Sequence, residues 1–197
     1  MMILTELNNL IRKRRSVFPP VFNEKEISRE AIQQILENAN WAPTHKFTEP
    51  WRFRILYKKT PAERGGILPR LAAFLVEDYK IHTPIEQQSD IKIKKMTENP
   101  LRSACVIAIC MKRHRELPEW EEIAAVSMAV QNMWLTCTAM GIGSYWSSPG
   151  AISRMGNFLE LAEDEKCLGL FYMGYTDVPL QEGKRKPITE KVVWLEG

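Results

Sequence analysis

Four cations and a hydroxyl stand together at Arg12-Lys13-Arg14-Arg15-Ser16, just ahead of a break at Pro19-Pro20. Arginine forks pair bidentately with phosphate oxygens and serine adds a hydroxyl donor, so the cluster suits a phosphorylated ligand. A solvated basic helix end, favoured at a carboxyl terminus by the helix dipole, accounts for the same residues. A second basic group, Lys184-Arg185-Lys186 before Pro187, lies near the other end of the chain. The two groups meet on one phosphate only if the fold joins the termini, and surface tails explain them equally well.

Two further segments have chemical potential. Between Trp41 and Trp51, Pro43 and Pro50 bound a loop that presents His45, Lys46 and aromatic rings. Such a loop can line the edge of a flat heterocycle and donate hydrogen bonds to its carbonyls, or it can be a plain helix-to-strand connection with His45 exposed. Gly141-Ile142-Gly143-Ser144-Tyr145-Trp146-Ser147 offers close backbone approach at its glycines and rings that stack. An ordinary glycine stop after a helix reads the same way. No Gly-x-Gly-x-x-Gly follows a strand, so a Rossmann dinucleotide site is not expected.

The elements that must position these residues follow from periodicity. Leu4, Leu7, Leu10 and Ile11 predict an amphipathic helix that delivers the first cluster. Ser28 predicts an N-cap for a helix carrying Ala31, Ile32, Ile35, Leu36 and Ala39, ended before Pro43. Trp51, Phe53, Ile55 and Tyr57 alternate as in a half-buried strand, and Thr60-Pro61-Ala62-Glu63 reads as a capping box opening another helix. Ile81 to Pro100 is polar and lysine-bearing, either mobile surface or solvated helix. Cys105 to Met111 predicts a central strand covered on both faces. Ile123 to Met140 predicts a long helix, apolar around most of its circumference and so buried, in part against a second subunit. A short helix near Ser153 to Leu161, a buried strand from Cys167 to Tyr175 and a possible last strand at Val192 to Leu195 complete the reading. The order indicates an α+β fold, a single domain over residues 1–197.

Composition excludes several classes. A net charge of +3 is too small for a general affinity for nucleic acid or membrane. Apolar runs fall short of the roughly 20 residues that span a bilayer. The amino end meets an acid at Glu6 and lacks a secretory pattern, so a cytoplasmic location is expected. Cys105, Cys110, Cys137 and Cys167 form no Cys-x-x-Cys pair, and His45, His82 and His114 are scattered, so neither disulfides nor a metal site is expected.

Taken in order, these segments resemble the nitroreductase family of flavoproteins over nearly the whole chain. The family opens with a helix ending in Arg-Arg-Ser, here Arg14-Arg15-Ser16, then a helix ending in Ala-Pro and a loop closing in Pro-Trp, here Ala42-Pro43 and Pro50-Trp51. A long helix ending in Gly-x-Gly, an acidic turn and strand from Glu163 to Tyr175, and Arg185-Lys186-Pro187 followed by Val192-Val193 match its later pattern. The short length, Thr44-His45-Lys46 and Pro118-Glu119-Trp120-Glu121 are similar to its small YdjA-like subgroup.

The resemblance implies a central, mostly antiparallel sheet flanked by helices, with the long buried helix at a homodimer interface that holds FMN. It implies that Arg14, Arg15 and Ser16 hold the flavin, that Arg185 or Lys186 assists at its phosphate, and that Trp41 and His45 come from the loop side, of the same or of the partner subunit. Tyr145, Trp146 and Ser147 would lie beside the ring, their backbone near N5. FMN would carry the chemistry with no catalytic side chain, passing hydride from NAD(P)H through N5 to a nitroaromatic, quinone or enone by a ping-pong route. Phe47 and Glu49 stand where the family commonly has asparagine and glutamine, and Phe18 where it has a cation, so the phosphate contacts carry over better than those to the pyrimidine edge. Two rivals remain: a nucleic-acid-binding module built on the two basic clusters, colourless and salt-sensitive, and a flavin-binding protein without reductase turnover.

Overall fold

A computed structural model describes residues 2–57 and 66–197. Helices α1 (Met2–Lys13), α2 (Arg29–Asn40), α3 (Ile67–His82), α4 (Asp90–Arg102) and α5 (Glu119–Ala139) surround strands β1 (Trp51–Tyr57), β2 (Cys105–Lys112), β3 (Gly143–Ser147) and β4 (Glu165–Gly174). The strands form one antiparallel sheet in the order β1-β2-β4-β3. The α+β expectation therefore holds.

Strand β2 is buried on both faces because its alternate side chains feed two separate cores. Ile107, Ile109 and Met111 pack with Ile32 and Ile35 of α2 and with Val126, Val130 and Met133 of α5. Val106, Ala108 and Cys110 pack with Leu68, Leu71 and Leu75 of α3 and with Met155 and Leu159. The result is three layers, with α2 and α5 on one face of the sheet. Ser28 caps α2 as expected, its Oγ accepting from Ala31 N at 3.2 Å.

Several expectations change. Ile81 to Pro100 is the end of α3 and most of α4, the helical alternative, with Glu98 between Lys94 and Arg102 at i±4. Helix α5 starts at Glu119, four residues early, because Pro118 precedes it and three acids in its first turn complement the helix dipole. The expected connection after Gly141 contains strand β3, since its inner edge pairs with β4. No helix covers Ser153 to Leu161: a 3-10 turn at Gly150–Arg154 gives way to turns, with Glu160 at φ 52°. Val192 to Leu195 makes no strand and is exposed. Helix α1 forms, but Ile3, Leu4, Leu7 and Ile11 are exposed. Only one side of α5 is buried within the chain, and Ile123 and Met128 face outward. The capping box at residues 60–63 lies outside the described residues.

One ion pair fastens α3 to the 3-10 turn. Arg154 donates from Nε and Nη2 to the two oxygens of buried Asp78, at 2.6 and 2.7 Å. These bonds hold the Asp78 carboxyl below the usual aspartate range. A depressed folded-state pKa contributes stability that is full above the unfolded value of about 4 and is lost as pH falls through the folded value. Asp78→Asn should lower stability at pH 7 by about 1–3 kcal/mol, the low side being favoured by Arg154's exposure. Denaturant titrations from pH 7 to pH 3 should show the variant losing less stability in acid than the parent; equal losses would remove Asp78 from the account.

Candidate functional site

The two ends of the chain meet. Arg12, Lys13, Arg14, Arg15 and Arg185 line one cleft of about 950 Å³ together with Gln131 and Thr138 of α5 and residues 180–183. That volume is near the top of the roughly 300–1,000 Å³ typical of small-molecule and cofactor sites. Arg15 ties the termini: its Nε donates to Gln181 O at 3.2 Å and its Nη1 to Arg12 O and Arg14 O at 2.6 Å each. A Cβ at Gly183 would stand 2.3 Å from the Arg15 Cζ, so the tail lies directly against that guanidinium.

Arg14 is freer. Its guanidinium lies 4.6 Å from the Trp134 ring centroid. Partial burial, then the like charges of Arg185 and Arg15, lower its pKa from the ordinary arginine value. Cations drawn together with little compensating negative charge define a place where an anion gains free energy. Ser16 is exposed beside them, and Lys186 is exposed with its carbonyl accepting from Lys191 Nζ at 3.3 Å.

Local pairing fixes this arrangement. Val17 N donates to Ser144 O at 2.9 Å, so the segment after Arg14-Arg15-Ser16 runs along the outer edge of β3. Trp134 Nε1 donates to both Arg15 O and Ser144 O at 3.2 Å, binding α5, the arginines and β3 into one corner. Strand alternation turns the Trp146 N–H toward the same outer edge. The Tyr145 ring sits between Phe18, at 4.5 Å, and Tyr172, at 6.3 Å. Trp146 Nε1 is buried and without a hydrogen-bond partner among the described residues, pressed on Gly169. Ser147 ends the strand, half-buried.

The loop residues separate: the end of α2 that leads to Trp41 is bonded through Asn38 to Asn132 and Thr136, level with Trp134 on α5. Trp41 closes α2 and is 85% exposed. His45 Nδ1 is hydrogen bonded to Glu121 Oε2 in the first turn of α5. From Glu121 to Trp134, at 1.5 Å per residue, the helix rises about 20 Å. One chain therefore unites Arg14, Arg15, Ser16, Arg185 and the start of β3, but holds His45 at the opposite end of α5.

Two partners were not singled out from sequence: Trp134, under Arg14, and Glu121, against His45. Glu121 entered only as the end of Pro118-Glu119-Trp120-Glu121 and Trp134 as one position on a long helix, and neither pattern reveals a neighbour more than 70 residues away. Next to Glu121, burial pushes the Glu122 carboxyl up, but hydrogen bonds from the His114 ring and backbone and from Arg113 prevail and leave its pKa below the usual value. The four cysteines are buried and free, and no cluster of metal-ligating residues occurs among the described residues.

The sequence profile of the nitroreductase family matches residues 11–175. The chain belongs to the nitroreductase family. It is 26% identical over 187 residues to YfhC of Bacillus subtilis, provisionally named an NAD(P)H nitroreductase, covering 94% of this chain and 92% of that one. It is 27% identical over 151 residues to YdjA of Escherichia coli K12, provisionally named likewise, covering 74% of this chain and 75% of the relative. The solved structure of the FMN-dependent nitroreductase NfnB from Mycobacterium smegmatis, in complex with NADPH, superposes with a TM-score of 0.75 at 18% identity, covering 98% of this chain and all of that one. The nitroreductase fold and the expected family resemblance are thereby established. No described helix is long and apolar enough to cross a membrane.

Proposed function

We propose that this member of the nitroreductase family is an FMN-dependent NAD(P)H oxidoreductase that works as a homodimer, one flavin lying between the arginine corner of one copy and the His45 loop of the other. The observation that carries the reading is the meeting of the first basic group with Arg185 of the second in one cleft, where the charges of Arg14 and Arg185 act on each other. A phosphate monoester fits that donor set, because crowded guanidiniums lose repulsion and gain charge-assisted hydrogen bonds on binding it. The names of the relatives support the nicotinamide donor, and the FMN dependence of NfnB supports the flavin.

When bound, FMN supplies hydride transfer at its N5. Arg14 and Arg185, aided by Lys186, hold the phosphate; Arg15 fixes the tail over them; Ser16 offers a hydroxyl at the cleft. Tyr145, Trp146 and Ser147 present the edge of β3 beside the ring. His45 comes from the second copy, because within one chain it lies about 20 Å along α5 from the turn that stacks Arg14, and Trp41 accompanies it from the start of the same loop. Exposed apolar residues on α1, on the outer face of α5 and at Val193, Trp194 and Leu195 supply surface for that association. Location in the cytoplasm goes with this reading.

The acceptors that suit an open cleft with exposed rings are nitroaromatics, quinones and enones. Donor and acceptor use the cleft in turn, so initial-rate plots against NAD(P)H at several acceptor concentrations should give parallel double-reciprocal lines. Intersecting lines would contradict the shared cleft. A colourless protein that gains no visible band with excess FMN would contradict the whole reading, and affinity for duplex DNA with a steep salt dependence would favour the nucleic-acid alternative.

A further inference from the structure

The His45 loop is more strongly specified than a connection requires. Lys46, Phe47 and Glu49 all have positive φ, at 51°, 54° and 43°. Left-handed backbone costs roughly 1–2 kcal/mol for each such residue. Thr44 clamps the turn, its Oγ1 lying 3.1 Å from Thr48 Oγ1 and accepting from Glu49 N at 3.2 Å, while Thr48 Oγ1 donates to His45 O at 3.3 Å. The loop rests on α5, where His45 Nδ1 meets Glu121 Oε2. The other ring nitrogen, Nε2, has no hydrogen bond among the described residues, and the side chain is 52% exposed.

Stability does not account for this pairing. An exposed pair of this kind contributes at most about 1 kcal/mol, less than the three left-handed residues cost together. Such strain persists where surrounding structure holds a residue for use. A carboxylate on Nδ1 fixes the tautomer, keeps the ring from turning and assists an imidazolium.

We propose that His45 Nε2 gives the acceptor the proton that accompanies hydride, and that Glu121 is the positioning residue that fixes the imidazole for this transfer. The proposal rests on the flavin reading above, with His45 reaching the ring of the partner copy. Two-electron reduction of a quinone or enone adds one hydride, originating in NAD(P)H, and one proton. The Nε2–H bond of the imidazolium breaks, an O–H or C–H bond forms on the acceptor, and water returns a proton to Nε2. The charged groups about the ring are Lys46 and Glu49 on the loop and Glu121 on α5. Glu119 is tied to Lys166, and Glu122 to Arg113 and His114. The positive end of the α5 dipole opposes an imidazolium here, and Glu121 is the side chain that offsets it.

The test compares His45→Gln, Glu121→Gln and Glu121→Asp with the parent. Nitrogen NMR of the imidazole in flavin-free protein, recorded at alkaline pH where the ring is neutral, should show Nδ1–H in the parent and in Glu121→Asp, and a mixture of tautomers in Glu121→Gln; the Nε2 proton that is donated is the one gained when this fixed ring protonates. In stopped flow with flavin-loaded protein, His45→Gln and Glu121→Gln should slow oxidation by a quinone about 10- to 100-fold more than they slow bleaching by NAD(P)H, the modest end of general acid catalysis, with Glu121→Asp partly restoring the rate. The parent's quinone step should also slow in deuterium oxide, and that effect should vanish in His45→Gln. An unchanged ratio of the two half-reactions in His45→Gln, or an unchanged tautomer in Glu121→Gln, overturns the proposal and leaves flavin binding standing. A parent protein that takes up no FMN overturns both.

Discussion

Replacing Arg14 by glutamate should weaken FMN binding by more than about 100-fold, because it removes one or two charge-assisted hydrogen bonds of about 1.5–3 kcal/mol each and places a carboxylate against the phosphate. Arg14 is the cation to choose: Arg15 is held on three backbone carbonyls, whereas Arg14 rests on the Trp134 ring and feels the charge of Arg185. Arg14→Lys should lose about tenfold, keeping charge but not the planar fork that stacks and pairs bidentately. Quenching of FMN fluorescence on binding measures both. Affinities within twofold of the parent for Arg14→Glu would move the phosphate out of this cleft.

The second large effect is structural. Gly169, in β4 opposite Ile109, has φ +155°, and a Cβ there would lie 2.2 Å from Trp146 Nε1 and 2.6 Å from Ser147 O. The second atom is backbone and has little room to yield. A β-bulge lies here, because Ile109 faces Gly169 but Cys110 faces Cys167. Gly169→Ala should therefore cost about 2–5 kcal/mol, combining overpacking with a backbone conformation that side chains disfavour. For a chain of this size that is a fall in Tm of roughly 5–20 °C. Gly156→Ala is the control: a Cβ at Gly156 meets nothing within 4 Å, and the variant should melt within about 2 °C of the parent. Equal melting of both variants would show that the bulge tolerates a side chain. The strand held by this contact is β3, so a Gly169→Ala protein that folds should also bind FMN less tightly.

What was legible in the chain followed the strength of local patterns. Seven consecutive apolar residues bounded β2, Ser28 and the period of Ile32, Ile35 and Ala39 set α2, and Gly141, at φ 70°, closed α5. The basic clusters were visible as residue types, but their meeting was not. It depends on Arg15 reaching carbonyls near both ends of the chain, a contact across 166 residues. The turns after Gly150 defeated periodicity because Met155 and Leu159 carry helical spacing while Gly156 and the left-handed Glu160 break the helix. Val192 to Leu195 has strand composition, but composition selects a strand only when a sheet edge is available to it, and these residues lie exposed. The loop's residue types drew attention to His45, whereas its separation from Arg14 follows only from the length of α5.

Native mass spectrometry of protein reconstituted with FMN bears most directly on the shared site. Two chains with two flavins are expected from the parent. Arg14→Glu should give dimers without flavin, and mixing it with a variant lacking the Trp41 and His45 side chains should give hybrids that retain one flavin, at the single intact pair of half-sites. A parent that flies as a monomer, or a monomer that keeps its flavin, would contradict a ring held between two copies of the chain.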